Sequence, residues 1–194
     1  MPLKIDRQAY LVNVRFNLNE AMAIHLATRL LATRMDRSNP HAASALHKLG
    51  LALQSLAPLI SRYVSRSALK MQSMDQKQDP VFLDVLQKLT IAWAEGKKVK
   101  VWHRSDKSHE IKTYTYATYY IEPYAIGQST YVFGFSEPPD AIRTFKIERI
   151  EKVEILSEPY NIPDTFDPFE LLSDAWGIWF TNEEPEQVTL LFHQ

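Results

Sequence analysis

The chain has 194 residues, 45% of them apolar and 23% charged, with a formal net charge of −1; this is enough to bury one core or two small ones, and too little positive charge for a surface that grips duplex DNA all over. It has no cysteine and only 5 glycines, which excludes disulfides and thiolate metal sites, leaves no glycine-rich phosphate loop, and fits a reducing cytoplasm. The N-terminus MPLKIDRQAYLV lacks an apolar run of signal-peptide length, and no stretch approaches the roughly 18 apolar residues of a membrane span, so a cytoplasmic protein without membrane contact is expected.

In chain order, residues 1–16 read as a short extended lead. Asn17, with Glu20 three residues on, opens a first helix with a capping-box-like pattern, and Leu18, Ala21, Met22, His25, Leu26, Leu30 and Leu31 form its stripe. Asn39-Pro40 opens a second helix, with a stripe of Ala42, Ala45, Leu46, Leu49, Leu53 and Leu56. Pro58 is expected to break or kink it, Leu59, Ile60, Tyr63 and Val64 continue the apolar face, and the polar run Ser65 to Gln78 reads as a loop. Asp79-Pro80 starts a third helix, carrying Phe82, Val85, Leu86, Leu89 and Trp93, and Gly96 is placed to end it.

From Lys97 the period changes from 3.6 to 2. Val99 and Val101 alternate with Lys98, Lys100 and Trp102. Further strands are expected at Ile111 to Ile121, Thr130 to Ser136, Ile142 to Ile147 and Val153 to Leu156, the last two readable as one bent element. Turns fall at 105–108, 127–129 and 138–140, and Pro123 ends or kinks the second strand. Short strands so closely spaced predict a small barrel or a tightly curled sheet. The expected fold is therefore α+β: a helical linker or dimerisation segment (1–95), a β-barrel (97–156), and a connector (157–194) punctuated by Pro159, Pro163 and Pro168. Trp176 to Phe180 and Val188 to Phe192 read as two strands of a C-terminal extension cut short at Gln194.

No enzyme constellation emerges. The six histidines make no HExxH pair, His25 lies on an apolar stripe and reads as structural, and no serine sits in a GxSxG elbow. Glu148 and Glu151, flanking Arg149-Ile150, read as ion-pair partners. Neither catalysis nor a cofactor is expected. The basic and aromatic residues say more. KKVKVWHRSDK (97–107) holds four Lys and one Arg against one Asp, RTFKIER (143–149) holds three cations, and Tyr114, Tyr116, Tyr119, Tyr120, Tyr124, Tyr131, Phe133, Phe135 and Phe145 interleave. Cations that track a backbone and aromatic faces that stack bases are the needs of single-stranded nucleic acid. The same residues also serve a plain sheet, with aromatics as core and lysines guarding an edge. Alternation puts Arg143, Phe145 and Ile147 on one face, with Thr144, Lys146 and Glu148 on the other. A cation on an apolar face needs a carboxylate or an anionic ligand. Lys98, Lys100 and Arg104 would add an outer electrostatic attraction.

The segment GQSTYVFGFSEPPDAIRTFKIERIEKVEIL (127–156) resembles the WYL domain, named for a Trp-Tyr-Leu tripeptide. Here the tripeptide position reads Thr130-Tyr131-Val132, keeping only the Tyr. Arg143 to Ile150 is close to the family's R-x-F-x-x-x-R-I run, and Ile121-Glu122-Pro123-Tyr124 to its preceding strand. Val99 to His103 resembles its first strand, with His103 at a position usually held by Tyr. Asn17 to Ile24 resembles the helix that precedes the domain in bacterial transcription regulators, and Trp176-Gly177-Ile178 the start of the extension that follows it. The resemblance implies an Sm-like five-stranded barrel. It implies a sensor of single-stranded nucleic acid or a nucleotide-like phosphate ligand, with duplex DNA read only by an N-terminal winged helix-turn-helix that this sequence does not display. Tyr131, Arg143, Arg149 and His103 are the ligand contacts it implies, beside Phe145 and Arg104 from the reading above. The rival expectation is a protein-interaction or homodimerisation module without a small ligand, using the helical stripes between 17 and 64.

Overall fold

The computed structural model describes residues 14–173 apart from 36, 38, 74–78, 106, 107 and 125, together with 189 and 191. They divide into a helical unit, drawn from residues up to 33 and from 39 to 74, and a second unit, drawn from 34–38 and from 75 onward.

The helical unit holds α1 (Leu18–Arg34), α2 (Pro40–Ala52) and α3 (Pro58–Ser73). The capping box at α1 is reciprocal: the Asn17 N–H donates to Glu20 Oε2 at 2.7 Å, and the Glu20 N–H to Asn17 Oδ1 at 3.0 Å. Asn39 caps α2 by accepting from the His41 N–H at 3.0 Å. Pro58 does not kink a continuing helix. It starts a new one, which runs through residues 65–73, where the polar composition had predicted a loop. Two features override that composition. Val64 and Ala68 are buried one turn apart, and Ala68, Leu69, Lys70 and Met71 are strong helix formers. Ser61 donates its hydroxyl to the Gly50 carbonyl at 2.7 Å, and a Cβ at Gly50 would lie 2.4 Å from Ser65 Oγ, so α2 and α3 meet closely through small residues. Ala21, Leu53 and Val64 form a small core with Leu49 and Ile60.

The second unit begins with α4 (Pro80–Glu95). Asp79 Oδ1 accepts from the Val81 and Phe82 N–H groups at 3.0 and 3.1 Å. Gly96, at φ 61°, ends the helix in the left-handed region where glycine carries no Cβ penalty. Five strands follow: β1 (Lys97–Arg104), β2 (Ile111–Tyr124), β3 (Ser129–Glu137), β4 (Ala141–Lys146) and β5 (Ile150–Pro159). They form one antiparallel sheet of order β4-β3-β2-β1-β5. β2 continues through Pro123 to Tyr124. Proline is tolerated there because β1 pairs only with residues 111–116 of β2, so Pro123 has a strand on one side alone.

The expected barrel does not close by hydrogen bonding, since β4 and β5 are the two edges of the ladder. Nor are they one bent element. A three-residue 3-10 turn (Ile147–Arg149) carries the chain from one edge to the other. In a flat five-stranded sheet those edges would stand about 19 Å apart, whereas the steps from Lys146 to Ile150 span at most about 14 Å. The sheet is therefore strongly curled, with the chain itself bridging the open seam. Opposite partners in the registers share a face, so Val99, Val101, Tyr116, Val132 and Phe145 lie on one side. With Phe82, Val85, Leu89 and Ala92 of α4, and with Ile147, Ile150 and Val153, they form the main core.

After β5 the chain packs back on the sheet. Tyr160 stacks on Tyr119 and donates its hydroxyl to the Thr118 carbonyl, Phe166 meets Tyr119 edge-on, and Phe169, at the short helix α5 (Pro168–Leu171), meets Tyr120. The strands expected at 176–180 and 188–192 lie outside the described residues, save 189 and 191, which carry no strand.

Candidate functional site

Alternation along β1, β2 and β4 sends His103, Tyr114, Arg143 and Phe145 to the core face. The curl then brings them together. The Phe145 ring lies 4.7 Å from His103, 5.0 Å from Tyr114 and 5.0 Å from Tyr116. β4 and β1 are separated in the ladder by two strands, so a flat sheet would not allow these contacts. The Arg143 guanidinium sits over the Tyr114 ring, 5.5 Å from its centre, a cation–π contact that holds the charge beside the aromatic cluster. Among the described residues no carboxylate forms an ion pair with Arg143.

Tyr116 sets the position of this group. Its ring is fully buried, and its hydroxyl donates toward the Val132 carbonyl at 3.1 Å and the Arg143 carbonyl at 2.8 Å. The ring reaches that far because it passes over Gly134, where a Cβ would stand 2.8 Å from Tyr116 Cζ and 2.0 Å from the Ala117 carbonyl oxygen. Glu148 secures the turn after β4 by accepting from the Thr130 N–H at 2.9 Å. Burial pushes its carboxyl above the usual range.

Arg149 lies in the 3-10 turn, and Ile150, the next residue, pairs with His103 across β1 and β5. Burial first, then the charges of Arg149 and Arg143, hold the His103 imidazole down at about 4, so it is neutral at pH 7. Both guanidinium charges thus bear on one ring. The recess has the Arg143 guanidinium, three aromatic rings and a neutral imidazole, all half-buried except the buried Phe145 and Tyr116, and the charge of Arg149 acts on it from the adjoining turn. Such a set can hold an anion against an aromatic wall. Among the described residues there is no group of three or more His, Asp or Glu side chains that could hold a metal ion.

Tyr131 and Arg104 are not part of this group. Tyr131 stands opposite Lys146 and Glu122, on the other face from Phe145, and meets Tyr124 edge-on at 6.3 Å. Arg104 also points to the outer face, where it pairs with Glu151 and donates to the His109 carbonyl at 3.2 Å. Lys98, also on that face, is held by Glu137 at 2.9 Å and Glu158 at 2.6 Å, and Lys100 lies over Trp102. Two members of the recess were not singled out from the sequence. Tyr114 and Tyr116 stand among nine similar aromatic residues, and only the β1–β2 register separates them from the rest. Lys112, directly opposite His103, is hidden in the same way.

Residues 84–155 match the sequence profile of the WYL domain. This stretch is a WYL domain. The match begins inside α4, the helix whose apolar face packs on the sheet. No curated protein matches the chain. Among solved structures, the chain is similar to the proteasome accessory factor B/C (PafBC) of Arthrobacter aurescens, at 17% identity and a TM-score of 0.38, over 62% of this chain and 21% of that one. The chain thus spans about a fifth of that protein's length.

Proposed function

We propose that the WYL domain is the ligand-sensing part of a bacterial transcription regulator, and that its recess binds single-stranded nucleic acid or a nucleotide-like phosphate ligand. One observation carries the reading: Arg143, stacked on Tyr114 without a carboxylate partner among the described residues, stands at a wall of Phe145 and His103, and the charge of Arg149 also bears on the His103 ring. The two guanidinium groups would pair with phosphate oxygens, and the rings would take a base or sugar. The curled sheet then serves as an Sm-like barrel, with residues 1–95 as linker and dimerisation segment and 157–194 as connector. Duplex DNA would be met only through a winged-helix element, in the cytoplasm. The test is fluorescence anisotropy of a short labelled single-stranded oligonucleotide at two salt concentrations. Binding that weakens with salt and falls in Arg143→Ala/Arg149→Ala supports the reading. Equal affinity of parent and double variant overturns it.

A second reading has its own observation. In the helical unit Leu26, Leu30, Leu59 and Tyr63 are 61%, 58%, 70% and 62% exposed, more large apolar surface than a lone helical unit needs to show. A homodimerisation or protein-interaction role would use it. Light scattering on the eluting chain decides: a dimer indifferent to oligonucleotide favours this reading, a monomer that binds it favours the first.

A further inference from the structure

His103 is the one titratable group in the recess whose ordinary range lies near neutral pH. Its surroundings are unusual for a histidine. Lys112 of β2 stands directly opposite it, Ile150 of β5 pairs with it on the other side, Phe145 of β4 packs on its ring, and the charges of Arg143 and Arg149 reach it from β4 and the 3-10 turn. None of these groups is a carboxylate. Glu151, the nearest acid along β5, is turned to the opposite face and engaged by Arg104. Glu148 is engaged with the Thr130 N–H. Every charged group facing the ring among the described residues therefore opposes its protonation. An anion seated between the arginines would cancel their fields at the ring. It would also offer an oxygen that an imidazolium N–H can donate to.

We propose that anion binding in this recess is proton-coupled, His103 taking a proton from solvent as a phosphate-bearing ligand seats between Arg143 and Arg149. This rests on the phosphate-binding reading above. The neutral imidazole gains one proton from bulk water, becomes a donor to a phosphate oxygen, and adds a third cation to the site only while the ligand is there. The free-state value near 4 fixes the lower end of the effect, and the higher value in the complex fixes the upper end. Between them the complex binds more protons than the free protein, so affinity rises as pH falls, by at most tenfold per pH unit for one proton.

The experiment uses the full chain and a fluorescein-labelled oligothymidylate with a 5′-hydroxyl. Its internal phosphodiesters do not titrate in the range used, unlike a terminal phosphate, whose second ionisation lies near 6. Anisotropy is measured from pH 8 to pH 5 at fixed ionic strength. Calorimetry in two buffers of different ionisation enthalpy counts the protons taken up. The parent is expected to bind severalfold more tightly per unit fall in pH and to take up a fraction of a proton. His103→Gln is expected to bind with a flat profile and no uptake. His103→Tyr, which keeps a ring against Phe145 but has no proton to gain, is expected to be equally flat. A parent that binds with a flat profile, or a His103→Gln that keeps the parent's slope, overturns the proton coupling while leaving the phosphate site standing. A parent that binds at no pH overturns the site, and the coupling with it.

Discussion

The two faces of the curled sheet treat their cations in opposite ways. On the outer face of β1 and β5, Lys98 is held by Glu137 and Glu158, Arg104 by Glu151 and Lys152 by Glu154, while Lys100 lies over Trp102. On the core face, Arg143 rests on a tyrosine ring, beside a histidine that cannot neutralise it, and no carboxylate among the described residues pairs with it. A count of positive charge along β1 favours the outer face. Its charges, however, are already answered by carboxylates and an aromatic ring. The lesson is that the availability of a cation depends on which carboxylates the register sets beside it, not on how many cations a segment carries.

The largest expected effect removes the support of the core face. Gly134→Ala drives a Cβ into the Ala117 carbonyl and the Tyr116 ring. It should cost about 3 kcal/mol or more and show as a large fall in melting temperature by circular dichroism. Tyr116→Phe is the milder form of the same test. It removes the hydroxyl shared by the Val132 and Arg143 carbonyls, and about 1–2 kcal/mol of stability should go with it in urea unfolding.

Next comes pH. The imidazole of His103 is depressed in the folded chain to about 4 from an ordinary 6.5. Between those values the unfolded chain binds the proton and the folded one does not, so this group lowers stability as pH falls from about 6.5 to 4 and does nothing above. His103→Gln should unfold with a shallower loss of stability across that window. An unchanged slope would remove His103 from the account. The smallest effect belongs to the outer face. Arg104→Ala should alter oligonucleotide affinity by less than about twofold, since Glu151 already answers its charge, whereas Arg143→Ala/Arg149→Ala should lower it about tenfold or more. Equal losses in the two variants would erase the distinction between the faces.

Much of the fold was legible in local chemistry. The capping box at Asn17 and Glu20, the Asp79 cap and the Gly96 stop sit where residue types alone place them, and each depends on neighbours within a few positions. The polar run after Ser65 misleads because burial of Val64 and Ala68 is decided by α2, not by the run itself. Arg143 and Phe145 could be put on one face by counting in twos. Tyr131 could be put on a face with Phe133, yet nothing in the count says which face holds the core. That needs the β3–β4 register, which sets Val132, not Tyr131, against Phe145. Where Arg149 stands relative to Arg143 was beyond alternation altogether, because the 3-10 turn breaks the period between them.

That turn has a consequence for assembly. β1 to β4 form a meander of neighbours, each strand pairing with the one before it, but β5 must leave β4 and travel round to β1, a partner some fifty residues back in the chain. Contacts so distant in sequence carry the larger closure entropy. The His103–Ile150 pair is one of them, and Arg149 directly precedes it in the chain. β1 to β4 can thus pair in chain order, whereas the edge that sets Ile150 against His103 is complete only when β5 docks on β1.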